Sequence, residues 1–253
     1  MIHGVLLDIA GVILDGRTAL PGAVEAMARL RKSDAPLRFL TNSTRTPRRV
    51  LLETMRAQGL EVEDTELFTP AAAACDWLAA HGHSLHLLVH PSLEEDFAGC
   101  ASEGPPAVVV GDAGPYFTYE AMNAAFRQLS AGAPFIALAA NRVFRDKDGE
   151  LSLDAGAFIK ALEFSSGMPP LVLGKPSPEF FAAACASMGC ALSDAAMIGD
   201  DAEVDIAGAL SAGIGTAILV RTGKYRAGDD ALFDPRPTRV APDISAAVDA
   251  LLL

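Results

Sequence analysis

Four short polar clusters, each directly following an apolar run, hold residue types that phosphoryl chemistry needs. Asp8 follows GVLL, Thr41-Asn42-Ser43 follows LRFL, Gly174-Lys175-Pro176 follows LVL, and Gly199-Asp200-Asp201 follows AAMI. Together they offer carboxylates, hydroxyl and amide donors, and a cation, the set used for phosphoryl transfer to a carboxylate nucleophile beside a hard metal ion. In that chemistry Asp8 attacks phosphorus and Asp200 helps to hold Mg²⁺. Thr41 and Lys175 bind the phosphoryl oxygens and stabilise the charge that redistributes in the transition state. Each cluster alone has a plainer explanation. Asp after a strand is a turn former or helix cap, Thr-Asn-Ser before a helix is a capping sequence, Lys175 is an exposed turn lysine, and GDDAEVD is an acidic helix start. The joint occurrence of all four, in this order, favours the chemistry.

Such residues act together only if a fold gathers them, and in open α/β sheets the carboxyl ends of the strands do so. Short apolar runs alternate with segments of helical period along the whole chain. Strands are expected at about 4–7 and 37–40, with a helix after Pro21 whose face is marked by Val24, Met27, Ala28 and Leu30, and another over about 47–58. A middle stretch has its own alternation: helices near 71–80 and 119–129, strands near 85–89, 107–110 and 135–138. The last third returns to the earlier style, with strands near 171–173, 196–198 and 216–220 and helices near 178–188 and 202–212. The pattern predicts an α/β protein with a Rossmann-like parallel sheet core, residues 1–70 and 170–253, and an inserted α/β domain, residues 71–169. The Pro169-Pro170 pair marks the second boundary.

A chain of 253 residues with 51% hydrophobic content has material for two cores and none of the character of a disordered one. Its formal charge of −12 disfavours nucleic acid and anionic membrane surfaces at long range, so a small anionic substrate needs a local positive centre. The opening MIHGVLLDIAGVILDG fits neither a leader peptide nor a membrane span, which gives the expectation of a cytoplasmic protein. Cys75, Cys100, Cys185 and Cys190 show no paired spacing and are expected as free thiols.

The four clusters resemble the four motifs of the haloacid dehalogenase-like hydrolase superfamily: DIAGV, TNS, the lysine of GKPSPEFF, and GDDAEVD. The insertion resembles the α/β cap of the class that includes nucleotide and pyridoxal phosphate phosphatases. FTYEAMNAAFRQL, MIGDD and VRTGKYR are most similar to that class's pyrophosphate and phosphohistidine phosphatase group. The resemblance implies Asp8 as phosphoryl acceptor and Mg²⁺ held by Asp8, Asp200 and the backbone carbonyl of Ala10. It also implies phosphate contacts from Thr41, Asn42, Ser43 and Lys175, with Asp205, rather than Asp201, acting from behind the metal's own ligands. A homodimer is a further implication, and the substrate is a small phosphorylated molecule or a phosphorylated side chain.

Position 10 departs from the superfamily pattern. Most of its phosphatases carry there a second Asp that protonates the leaving oxygen and later activates water; Ala10 does neither. A positioned acid or base is worth about 10²–10⁴-fold, so the loss points to substrates with good leaving groups: pyrophosphate, phosphohistidine or phospholysine, aryl phosphate. Asp15 is the one nearby acid that could stand in. Two other readings keep the same motifs: a phosphate-binding regulatory protein with little or no turnover, and a dehalogenase, against which the acidic fourth motif argues. Substrate choice is expected in the loops 112–114, 141–149 and 154–156, where Arg142, Arg145 and Lys147 could meet an anionic leaving group. HGH at 81–83 lacks a third metal ligand and reads as a solvated helix end.

Overall fold

Apolar runs of four or five residues must hide both faces, and a parallel sheet between helices does this. In the computed structural model, which describes residues 2–100, 103–145 (Arg145 by its backbone alone) and 150–253, two such sheets form. The larger has six strands, Gly4–Asp8, Leu37–Leu40, Leu67–Phe68, Ala195–Gly199, Thr216–Val220 and Arg239–Ala241. All are parallel, in the spatial order 239–241, 216–220, 195–199, 4–8, 37–40, 67–68. The chain winds outward from its first strand, then restarts on that strand's other side. This is a doubly wound order, and its crevice opens where the winding reverses. Leu7 pairs with Ile198 and Asp8 with Leu40, so Asp8, Thr41 and Asp200 leave the sheet at one edge.

The first strand, GVLLD, is buried at every position. Val5, Leu7, Phe39, Ile198 and Val220 share a core with the helices Ala23–Lys32 and Ile244–Leu252. Helix Ala23–Lys32 buries Ala23, Ala26, Met27 and Leu30, an i, i+3, i+4, i+7 stripe. The expected face is therefore corrected: Met27 and Leu30 lie on it, Val24 only flanks it, and Ala28 is exposed. On the far side of the sheet, helix Pro178–Ser187 buries Phe180 and Phe181, with Phe180 edge-on to Phe68 at 6.5 Å.

The smaller sheet runs 171–172, 135–137, 106–110, 84–88, all parallel. Alternate residues of its strand Pro106–Val110 feed opposite cores, as the pleat requires. Ala107 and Val109 meet Ala74 and Leu78 of helix Pro70–His81. Val108 and Val110 meet Leu129 of helix Tyr119–Ser130 and Ile159 of helix Ala155–Ser166. Thr69 and Thr118 start two of these helices by accepting the N–H of Ala72 and Ala121, both at 3.2 Å.

The chain divides into two compact units, one of Met1–Thr41, Arg49–Phe68 and Lys175–Leu253, the other of Asn42–Arg48 and Thr69–Gly174. Two expected boundaries shift. Leu171 and Val172 pair with Ile136 and Ala137, so this strand completes the smaller sheet and the return to the larger one comes at Lys175, after the proline pair. Asn42–Arg48 also groups with the second unit. There Arg45 Nε lies 2.6 Å from Asp112, and Asp112 N–H donates to Thr44 Oγ1 at 3.0 Å. The cysteine expectation is corrected as well: Cys75 and Cys100 are joined as a disulfide, their Cα atoms 5.1 Å apart and within bridging distance, while Cys185 and Cys190 are free. No described helix is long and apolar enough to cross a membrane.

Candidate active site

Asp8, the last residue of the first strand, is buried together with Lys175, Asp200 and Asp205. Lys175 Nζ donates to Asp8 Oδ1 in a short hydrogen bond and lies 2.7 Å from Asp205 Oδ1, so one ammonium bridges two carboxylates. Ligand oxygens of Asp8, Asp200 and Asp205 all lie within 4.8 Å of one another. Residues as far apart in sequence as Asp8 and Asp205 meet because the two strand ends are neighbours and the helical turn after the second folds back.

That turn is wide. Residues Ala202–Ala207 form a π-helix, with Ile206 N–H reaching Asp201 O at 3.2 Å, a form often found at functional sites. Asp201 caps it, its Oδ1 accepting from the N–H of Glu203 and Val204 at 3.2 and 3.0 Å. Asp205, one turn on, points back and accepts the Asp201 N–H at 3.2 Å.

Asp200 is held by residues that the four strand-end clusters do not include. Lys224 N–H donates to Asp200 Oδ2 at 2.7 Å, and Thr222 Oγ1 donates to Gly11 O at 2.5 Å. Gly11 (φ 79°) and Gly223 (φ 61°) flank the carboxylate so closely that a Cβ on either would overlap it. Thr222, Gly223 and Lys224 stand just beyond the apolar run TAILV, so the same strand-end rule, extended to a fifth strand, finds them.

Burial raises the Asp8 carboxyl to about 6; Asp205 adds to the rise and Lys175 opposes it. Asp200 is pushed up to about 8 by burial and by the charges of Asp8 and Asp205. Burial alone would lower Lys175, but Asp205 and Asp8 outweigh it and raise its pKa, keeping the ammonium charged. Burial likewise acts to raise Asp201, yet Lys224 and the Val204 N–H bring it below the ordinary value.

The remaining candidates divide. Thr41 is buried at the end of the neighbouring strand, its N–H donating to Phe68 O at 3.2 Å. Asn42 and Ser43 group with the other unit, where Ser43 Oγ accepts the Thr46 N–H at 3.3 Å. The bridge between Ala10 and Leu14 uses Ile9 O and Gly11 N–H, leaving the Ala10 carbonyl out of it. Asp15 stands exposed opposite Thr18 in a short hairpin, apart from the buried carboxylates. Asp112 is engaged with Arg45, and Asp154 caps its helix through Ala155 N–H at 2.7 Å. Arg142 O accepts the Asp154 N–H at 3.2 Å; the Arg145 side chain and Lys147 lie outside the described residues. His81 and His83 stack on Trp77 at 4.1 and 5.7 Å, a structural use of the HGH sequence.

A carboxylate at a strand end, bridged by a buried lysine and faced by two acids at the switch point of a doubly wound sheet, makes an acidic site of the kind that suits a hard cation and a phosphoryl group. A family described as haloacid dehalogenase-like hydrolase matches residues 5–102, and one described as HAD-hydrolase-like matches residues 172–247. Phospholysine phosphohistidine inorganic pyrophosphate phosphatase of Rattus norvegicus is 39% identical over 257 residues, covering 99% of this chain and 94% of that protein. The p-nitrophenyl phosphatase from Archaeoglobus fulgidus superposes with a TM-score of 0.90 at 27% identity, over 98% of this chain and 99% of that one. A glycerol phosphate phosphatase from Mycobacterium tuberculosis, solved in complex with magnesium, gives 0.84 at 25% identity, over 97% and 76%. The chain belongs to the haloacid dehalogenase-like hydrolases.

Proposed function

We propose that this hydrolase is a Mg²⁺-dependent phosphatase working through a phosphoryl group on Asp8, with the inserted unit Thr69–Gly174 as its cap domain. The observation that carries the reading is the meeting of Asp8, Asp200 and Asp205 around Lys175. The donor set suits a hard divalent cation: several carboxylate oxygens within 4.8 Å, two of the groups raised in pKa because negative charge is crowded there. Asp8, Asp200 and the Ala10 carbonyl would hold the ion, and Asp205 would stand behind them. When bound, the ion supplies positive charge against the phosphoryl oxygens.

The chain's own residues do the rest. Lys175 orients the Asp8 carboxylate and offers charge to the phosphoryl oxygens that Thr41 also binds. As an Asp8 oxygen bonds to phosphorus, the bond to the leaving group breaks and that group takes the electron pair. Ala10 has no proton to give it, so substrates whose leaving groups need none from the protein are favoured: pyrophosphate and aryl phosphates, which release stable anions, and phosphohistidine or phospholysine, whose nitrogen takes its proton from solvent and departs as a neutral base. The same Ala10 favours a second reading, a phosphate-binding regulatory protein with little turnover. Hydrolysis assays on pyrophosphate, phosphohistidine and an aryl phosphate, with and without Mg²⁺ and with Asp8→Asn, separate the two. Activity that needs Mg²⁺ and vanishes in Asp8→Asn supports the enzyme; activity surviving either change removes the mechanism.

A further inference from the structure

Lys224 is a cation that the scheme above does not use, and its two ends do different things. Its backbone N–H fixes Asp200 Oδ2 at 2.7 Å. Its ammonium lies 3.1 Å from Asp201 Oδ2 on a side chain 63% exposed, so the charge stands at the solvent side of the carboxylate cluster. Asp201 is pinned in turn, its other oxygen capping the π-helix through Glu203 and Val204. The ion pair therefore holds the ammonium in place. It does not use the ammonium up: a lysine has three N–H donors, and one carboxylate oxygen takes one of them.

We infer that Lys224 binds the anionic leaving group of the substrate, the departing phosphate of a phosphoanhydride such as pyrophosphate, and is thereby a specificity-determining residue. The inference rests on the phosphatase reading above. In the step, a carboxylate oxygen of Asp8 forms the new bond to phosphorus and the bridging oxygen leaves with the electron pair as phosphate. The Lys224 ammonium keeps its proton throughout and stabilises that charge by hydrogen bonding, where a second aspartic acid would have donated a proton. A leaving group without charge of its own gains less from it.

The test is the affinity, by titration calorimetry with Mg²⁺ present, of imidodiphosphate and of orthophosphate for the wild type, Lys224→Met and Lys224→Arg. Methionine keeps the backbone N–H to Asp200 and most of the stem, so the metal site is retained. A charge-assisted hydrogen bond corresponds to about tenfold or more in affinity. Lys224→Met should lose about that much more affinity for imidodiphosphate than for orthophosphate, and Lys224→Arg should recover most of the loss. Equal weakening of both ligands, no loss, no recovery by arginine, or a wild type that does not prefer imidodiphosphate would each overturn the inference. Failure of the phosphatase reading looks different: the selectivity and its loss in Lys224→Met persist, but pyrophosphate is not turned over.

Discussion

At position 10 a methyl group stands where most phosphatases of the superfamily have an acid, and Ala10 is exposed, so a carboxylate fits there without displacing the core. Ala10→Asp should raise kcat/KM on an alkyl phosphate, whose alkoxide needs a proton, by about tenfold or more, and on pyrophosphate by much less. Equal gains, measured side by side, would count against the leaving-group argument. The glycines carry a second prediction. Gly223→Ala puts a Cβ into the Asp200 carboxylate at a positive φ, and a disturbed ligand support costs about 10–100-fold in metal affinity. Magnesium titration calorimetry should show that loss. Asp8, Lys175 and Asp200 were legible in the sequence because a polar residue ending an apolar run advertises itself. Gly11 and Gly223 were not, since a glycine in a loop does not reveal which side chain passes beside it. Lys224 was within reach of the rule that found the others.

Among elements, the alternation of strands and helices was readable, but side-chain phase and sheet membership depended on packing. Helix Ala23–Lys32 turned one residue from its expected face because alanines at 23 and 26 fit against the sheet as well as larger residues do. The run at 171–173 joined the smaller sheet because period and composition do not say which edge a strand will find. The short 3₁₀ turn Asp64–Glu66 shows what locks such pieces. Arg31 grips Glu66 at 2.5 and 2.6 Å, and Glu66 also accepts the Glu63 N–H at 2.9 Å. Burial works to raise Glu66, but Arg31 and that N–H bring it below its usual 4.5. A depressed carboxylate stabilises the fold above the unfolded value and stops doing so as pH falls through the folded one. Glu66→Gln should therefore cost about 1–3 kcal/mol near neutral pH. The difference from wild type should shrink below about pH 4.5 in denaturant titrations; a gap that is constant with pH would mean the pair is not its source.

For the molecule as a whole, part of the negative charge behind a formal −12 is buried where Asp8, Asp200 and Asp205 meet. The net charge could be read at once from composition; the cost of this cluster could not, because it depends on burial and on distances that only the fold sets. In the folded chain Asp8 and Asp200 hold protons up to about 6 and about 8, against 3.8 for the ordinary group. Across that window the folded state binds more protons than the unfolded one, so this cluster's contribution to stability falls as pH rises and levels off above about 8. A divalent cation bound there, as proposed, would reverse the balance by taking the carboxylates and displacing those protons. Without metal, the melting temperature of Asp200→Asn should therefore gain on wild type between about pH 5 and pH 8.5. Added Mg²⁺ should raise the wild-type Tm more at the upper pH than at the lower, and should release protons near neutrality, visible as a binding enthalpy that varies with the buffer. A Tm increase equal at both pH values, or an enthalpy independent of buffer, would show that the three carboxylates are not where the cation binds.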